Sequence, residues 1–597
     1  MKKYIPQFLI LISVFVLYSN SLKNGFVLDD FSAIVENRFV QAGTDGLGDI
    51  FTTHYRAGYW ASPGDLYRPL VLASFAIEHQ ISDGTPFIHH FINVLIYGLL
   101  GLSLFALLQK WFPKQNHWIP FMITMLFLAH PIHTEVVANI KSRDELMSLF
   151  FLISSLLVLQ KYIANKTVGN LIGLSGLYFL ALLSKESSLI FLMVIPVSAY
   201  FFNASNKKEL IKISSALIVP VIIFLVMRHN ALMDQSEIKS LGISLLSENP
   251  INKLLLAGYH LMLYLYKLII PINLSSQYPE FSQGPSSFAT AIGMVGLLVH
   301  LALLYFGIKW FKEKQILGFA ILFYLFTHFL HSNILLTIGT QFGERLLFTP
   351  SIAFTLLTGF IFIKYIQPKG NKTMWIAAII LGVFYTGITI KRNTEWNSNA
   401  TLYAADVQKQ PNSCMLNYWQ SLELTSEKTL NKLTSNQRTQ SLNEGLKYVL
   451  KSLELNPNYG EALSQTGLVY YKMGENEKAL PYYEKSMNQG KGGVNTLNNV
   501  AAIYFGMGDL KKAKSYYEKT VAINPYHKDC WGNLGITYAQ LGEFESAENA
   551  FRKALNLNPN SGQIHFYLGM TLNQVGQIEE ATQEFKTAFE LDPSLRK

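Results

Sequence analysis

The chain has 597 residues, enough for several domains; half of them are hydrophobic, 13% are aromatic and only 15% are charged, and the mean hydropathy is +0.21. That composition is a membrane composition. The net charge of +9 does not point to nucleic acid, because the basic residues lie mainly in short connections between apolar runs, where they set topology; two cysteines, Cys414 and Cys530, exclude a disulfide framework and offer no metal spacing.

The opening MKKYIPQFLILISVFVLYSNS puts Lys2 and Lys3 before an apolar run. It suits a cleaved secretory signal, and we read it as a retained helix; either way the loop after it is exported. That loop begins with NGFVLDDFSAI, residues 24 to 34, where Asp29 and Asp30 stand side by side. One ionised carboxylate can take a proton from a hydroxyl while its neighbour shifts its pKa. The plain alternative is a solvated turn.

Apolar segments long enough, or nearly so, for a bilayer follow near 4 to 22, 86 to 109, 118 to 134, 146 to 162, 168 to 183, 187 to 203 and 210 to 227. Five more lie near 253 to 272, 286 to 308, 315 to 332, 345 to 366 and 373 to 390. Connections carrying Lys110 and Lys114, Lys161 and Lys166, Lys207, Lys208 and Lys212, Lys309, Lys312 and Lys314, and Lys364, Lys369 and Lys372 should share the cytoplasmic side. They do so only if one candidate fails to cross. Residues 253 to 272, with His260, Lys267 and Pro271, read as an interfacial or re-entrant helix. About eleven crossings then leave the first loop, residues 130 to 145, 184 to 187, 228 to 285, 332 to 345 and the C-terminal region outside.

The character changes at Asn393, and from Tyr459 a 34-residue period sets in, the tetratricopeptide length. Gly474, Gly508, Gly542 and Gly576 keep it, as do Ala479, Ala513, Ala547 and Ala581, and Tyr483, Tyr517, Phe551 and Phe585. Pro457, Pro525, Pro559 and Pro593 close the units, with one period skipped at Lys491. The expected division is a membrane domain over 1–392, a degenerate first repeat with an insertion over 393–458, and four clear repeats over 459–597. Stacked helix pairs give a concave face suited to extended peptides.

Charges in or beside membrane segments cost roughly 2.5 to 3.5 kcal/mol each and call for a reason. AHPIHTEVVANIKSRDELMS supplies His130, His133, Glu135, Arg143 and Asp144; LLSKESSL supplies Lys185 and Glu186; GTQFGERLLFTPS supplies Glu344 and Arg345; and YRPL supplies Arg68. Pro131 breaks the helix that a zinc reading of His130, His133 and Glu135 would need. Lys185 with Glu186, and Glu344 with Arg345, read either as interfacial pairs or as parts of an electrostatic clamp for a lipid-borne phosphate.

In this order, FVLDD, YRPL, HPIHTEVVANIKSRDEL, SKES and GERLLFTPS followed by the repeats resemble the transmembrane and tetratricopeptide repeat-containing family, which is similar to protein O-mannosyltransferases of the GT-C superfamily. The resemblance implies an all-α, polytopic membrane transferase followed by an α-solenoid. It further implies inverting transfer of a mannose-type hexose from a polyprenyl or dolichyl phosphate to Ser or Thr hydroxyls of exported proteins. Asp29 or Asp30 would be the general base, and Arg143 and Asp144 correspond to the family's polar segment after the third membrane helix. On electrostatic grounds more than on the resemblance, Lys185 and Arg345 are the candidates for contacts to the donor phosphate, with Arg68, His133, Glu135, Arg143, Asp144, Glu186 and Glu344 as further substrate or donor-phosphate candidates. The partners implied are membrane lipid, the lipid-linked sugar and a peptide acceptor on the concave repeat face. The setting would be a bacterial inner membrane or endoplasmic-reticulum-type membrane, with site and repeats on the non-cytoplasmic side. No metal ligand set stands out, and a divalent ion stays open. The competing functional reading is a noncatalytic membrane-anchored scaffold, with a transporter third; the membrane half lacks the internal symmetry expected of the latter.

Overall fold

The computed structural model describes residues 4–59, 64–203, 206–232, 249–281, 285–334 and 340–596. Lys2 and Lys3, and the stretches 233–248, 282–284 and 335–339 of the expected outer loops, lie outside the described residues. Among the described residues the secondary structure is helical, with no strand. The chain divides into two compact units, Met1–Gln410 and Pro411–Lys597.

In the first unit seven helices are long and apolar enough to cross a bilayer: Ile5–Lys23, Pro86–Trp111, Ile140–Asn165, Lys207–Leu232, Ser287–Lys312, Ser351–Lys369 and Asn371–Glu395. Trp118–Ala129 and Pro131–Ala138 form a further pair bent by 54°, and Val168–Ser184, Glu186–Phe202 and Ile316–Phe329 are shorter apolar helices. These seven, the bent pair and the three shorter helices fall one for one on the eleven segments expected to cross. The protein is a multi-pass membrane protein.

Pro250–Ile269 occupies the remaining segment, near 253 to 272, and buries His260, Tyr264 and Lys267. Lys267 donates from Nζ to the carbonyls of Ile272 at 2.7 Å and Asn273 at 3.1 Å, so the cation is satisfied at the helix C-terminus. This helix meets Ser287–Lys312 backbone to backbone. A Cβ on Gly258 would stand 2.2 Å from the Gly293 carbonyl oxygen, and one on Gly296 would stand 2.0 Å from that of Gly258.

The start of the chain is tied to the end of its last apolar helix. Asn393 donates from Nδ2 to the Leu17 carbonyl at 2.8 Å, and Asn20 donates to that of Ile390 at 2.9 Å. The change of sequence character puts the end of the membrane region at residue 392, and the compact unit runs on through the helix Asn399–Lys409. Buried Arg392 pairs there with Asp406 at 2.5 Å, and Lys409 pairs with Glu395, so charges inside the unit hold that helix to it.

In the second unit the 34-residue period becomes four helix pairs: Gly460–Lys472 with Asn476–Asn488, Val494–Gly506 with Leu510–Ile523, Lys528–Gln540 with Phe544–Leu557, and Gly562–Gln574 with Ile578–Leu591. Gly474, Gly508, Gly542 and Gly576 make the turns at φ between 77° and 83°, a region L-residues avoid. Ala479, Ala513 and Ala547 are fully buried where paired helices touch. The preceding pair, Cys414–Thr425 and Ser435–Leu455, carries the expected insertion as the short helix Glu427–Leu430.

Because the Gly258 contact is made by backbone, a methyl group there has nowhere to go. Gly258→Ala should lower stability by about 1–3 kcal/mol, read as an earlier thermal unfolding transition in detergent. Gly382→Ala, whose Cβ would meet nothing within 4 Å, should leave the transition in place.

Candidate active site

The first loop is fastened before it reaches the aspartate pair. Asn24 donates to the Asn393 carbonyl at 3.1 Å, the Gly25 amide to that of Asn397 at 2.9 Å, and the Leu28 amide to Asn399 Oδ1 at 2.9 Å. Leu28 is held at φ 49°, a left-handed conformation that costs roughly 1–2 kcal/mol for an L-residue. The turn at Leu28 sends the two carboxylates into different surroundings. Asp30 is fully buried and accepts from the backbone amides of Val27 at 2.9 Å and Lys141 at 2.8 Å. Burial pushes its pKa up to about 7 despite those two bonds. Asp29 keeps 44% of its side chain exposed and meets the Arg56 guanidinium at 3.0 Å. Partial burial works against its charge, yet Lys141, Arg56 and Arg345 outweigh it and hold the carboxyl below the usual aspartate range.

Around Asp29 lies a set of paired charges from four distant stretches. Arg68 bonds Glu186 at 2.9 Å and also binds Asp144, which Lys141 approaches at 3.5 Å. Lys185 pairs with Glu145. Arg345 meets Glu135 twice, through its backbone amide at 3.0 Å and Nη1 at 2.8 Å. Burial opposes the Arg68 and Arg345 charges, and the neighbouring carboxylates raise both pKa values above the ordinary arginine value.

Local chain geometry explains how these residues converge. His130 is extended before Pro131, which cannot continue the hydrogen-bonded turn. The resulting bend offers Glu135, and the Asn139 cap then starts the turn of Lys141 ahead of Arg143–Asn165. Lys185 caps Val168–Ser184 in an extended conformation, φ −160°, so it and Glu186 face different partners.

The structure brings Asp29, Arg68, Glu135, Asp144, Lys185, Glu186 and Arg345 into this set. Four other sequence candidates sit elsewhere. Arg143 is a fully buried strut that donates to Asn93 at 2.7 Å, Ser74 at 2.9 Å and the His89 carbonyl at 2.9 Å, and pairs with Glu78. His133 is locked between the Tyr97 hydroxyl at 2.7 Å and the Ser351 hydroxyl at 2.9 Å. Glu344 accepts from the Ser275 amide at 2.7 Å and the Tyr278 hydroxyl, and burial pushes it up to about 7. Asp30 anchors the loop through its oxygens, as described. Adjacent pairing of Lys185 with Glu186 and of Glu344 with Arg345 is not what forms: each residue finds a partner far along the chain.

Sequence reasoning missed Arg56, Lys141, Glu145 and Tyr55. Lys141 had a signal, a lysine three residues before Asp144 at the head of an apolar helix, and Glu145 follows directly; Arg56 and Tyr55 had none. The Tyr55 hydroxyl is buried without a hydrogen-bond partner among the described residues, in the field of Asp144, Arg68, Asp29 and Arg56. Among the described residues no three His, Cys, Asp or Glu side chains group as a metal site.

A multi-pass helical membrane unit with a charge-paired polar site, in one chain with a tetratricopeptide solenoid, defines the class of protein. The tetratricopeptide repeat family matches residues 460–488, 494–560 and 550–583. Over most of its length the chain is similar to protein O-mannosyl-transferases. It is 27% identical to one from Caenorhabditis elegans over 69% of this chain and 59% of the relative. It is 24% identical to TMTC1 of Homo sapiens over 67% and 51%, and 23% identical to TMTC3 of Mus musculus over 78% and 53%. The chain thus spans a little over half the length of these curated relatives. Among solved structures, the TPR protein YrrB aligns with 32% of this chain and 92% of its own at 17% identity and a TM-score of 0.28.

Removing Arg143 would leave buried Glu78 with His89 as its remaining partner and no arginine to balance its charge, and breaking a buried pair from one side costs about 3–5 kcal/mol. Arg143→Met should therefore lose most of the folded protein in size-exclusion and thermal unfolding measurements. Adding Glu78→Gln should recover part of it.

Proposed function

We propose that the chain is a membrane glycosyltransferase that moves a hexose of the mannose type from a polyprenyl phosphate to a Ser or Thr hydroxyl, with Asp29 as general base. The observation that carries this reading is the division of labour in the aspartate pair. Asp30 spends its oxygens on two backbone amides, whereas Asp29 is ionised, half-exposed and surrounded by cations. The likeness to O-mannosyl-transferases supports the reaction class.

In the reaction, Asp29 takes the proton of the acceptor hydroxyl as its oxygen attacks the anomeric carbon from the face opposite the phosphate. The carbon–oxygen bond to phosphate breaks, its electron pair leaves with the phosphate, and the sugar carbon inverts. The phosphate gains negative charge, and unused N–H donors of Arg68, Arg345, Lys141 and Lys185 meet it. These cations already have carboxylate partners, so the site is balanced in charge and stabilises the leaving group by oriented donors. An apolar groove of about 730 Å³ lined by Leu254, Leu297, Leu301 and Phe329, among others, suits the isoprenoid tail. Acceptor peptide would be gathered on the concave face of the repeats, outside the cytoplasm.

Asp29→Asn should lower transfer from a polyprenyl phosphate sugar to a Ser/Thr peptide by about 10²- to 10⁴-fold without changing thermal unfolding. Asp30→Asn should instead lower stability by about 1–3 kcal/mol, since its amide group faces two backbone donors. Wild-type levels of transfer in Asp29→Asn would overturn the assignment.

The pH dependence has a definite sign. Asp29 works ionised, and its pKa lies below the aspartate range, so transfer should hold steady on acidification until that range is passed. Arg56→Gln removes one of the cations that keep Asp29 ionised, and the acid limb of the pH–rate profile should move to higher pH.

A further inference from the structure

The apolar groove has a polar end that the reaction above does not use. Its wall includes His328, at the C-terminal end of Ile316–Phe329. The imidazole is 2% exposed, and neither ring nitrogen has a hydrogen-bond partner among the described residues. Its orientation is set by aromatic contacts: Tyr264 stands edge-on at 4.3 Å and Tyr324 is stacked at 5.6 Å. Tyr324 gives it no hydrogen bond, since that hydroxyl lies 3.1 Å from His300 Nε2, and His300 Nδ1 lies 2.8 Å from the Gly296 carbonyl. A buried imidazole with two idle nitrogens is costly in a protein interior, and it calls for a partner brought by something that enters the groove.

The surroundings indicate what that partner is. His331, its ring centroid 6.5 Å from that of His328, also has an idle Nδ1. Burial first, and then the charges of Lys185, Arg68 and Arg345, hold its pKa below the ordinary imidazole value. The groove is therefore apolar along its length, with Leu301 and Phe329 exposed at its rim, it has the His328 imidazole in its wall, and His331 stands beside that imidazole. A long hydrocarbon ending in a phosphate matches that order of chemistry: tail on the leucines, a phosphate oxygen on the N–H of the His328 ring, remaining charge toward the cations whose field reaches His331.

We propose that His328 and His331 are positioning residues that receive the phosphate of a polyprenyl phosphate lodged in the groove and hand it to the Lys185, Arg68 and Arg345 cluster. The inference rests on the donor reading above and names the contacts that would select a phosphate over an uncharged prenyl lipid.

The test is binding to the full-length protein in detergent, using a polyprenyl phosphate and the matching polyprenyl alcohol as probes. A lost hydrogen bond to a charged group corresponds to about 10- to 100-fold in affinity. His328→Phe, which keeps the aromatic stack, should weaken the phosphate by that factor and the alcohol by under about threefold; His328→Gln, which keeps a donor, should retain most of the phosphate affinity. Where His328→Phe fails to fold, His331→Phe makes the same comparison at a half-buried position. Unchanged phosphate affinity in the folded variant, equal weakening of both lipids, or a wild-type protein that binds both alike would overturn the proposal. Selective phosphate binding through His328 in a protein that transfers no sugar would leave the proposal standing and reject the transferase reading instead.

Discussion

Charge inside an apolar membrane domain has to be paired, and that requirement organises the site. Arg68 from the first loop holds Asp144 and Glu186; Lys185 holds Glu145; and Arg345 holds Glu135. Each pair joins segments at least forty residues apart, so the pairing that keeps the charges tolerable also fastens four parts of the chain around one point. Buried pairs of this kind add little net stability over apolar packing, but they are expensive to break from one side. The arrangement is therefore specific even where it is not strongly stabilising.

The aspartate pair shows what that fastening accomplishes. Leu28 in a left-handed conformation and the bond from its amide to Asn399 turn the chain so that neighbouring carboxylates have opposite fates. Asp30 becomes part of the scaffold, bridging Val27 and Lys141 through their amides. Through Lys141 it also fixes the turn that presents Asp144. Asp29 is left as the half-exposed carboxylate in a field of cations, which is the state a base for hydroxyl activation requires at neutral pH.

Periodic features were legible in the sequence because they repeat the same physical demand many times. The glycine, alanine and aromatic registers of the repeats reappear as turns, close helix contacts and filled seams, and the apolar runs reappear as helices. The site was legible as a set of segments and only partly as residues. Sequence spacing says that Lys185 and Glu186 are neighbours, but an extended backbone turns them to different partners. It marks Arg143 and His133 as unusual charges near a membrane helix, yet the first serves Glu78 and the second joins Tyr97 to Ser351. Arg56 and Tyr55 lie in a loop with no pattern of its own, and only the fold carries them to Asp29. The idle imidazole of His328 was invisible for a related reason, since a histidine in an apolar helix reads the same whether its nitrogens are satisfied or not.

The central claim is that the paired-charge site around Asp29 transfers a sugar from a lipid phosphate. The direct measurement is transfer of labelled mannose by the purified full-length protein from polyprenyl phosphate mannose to a Ser/Thr-rich peptide, with the anomer of the product assigned by NMR. The account predicts a hydroxyl-linked glycopeptide whose anomeric configuration is inverted relative to the donor. A product of retained configuration, or no product with any polyprenyl phosphate hexose from protein that is folded and binds the lipid, would contradict it.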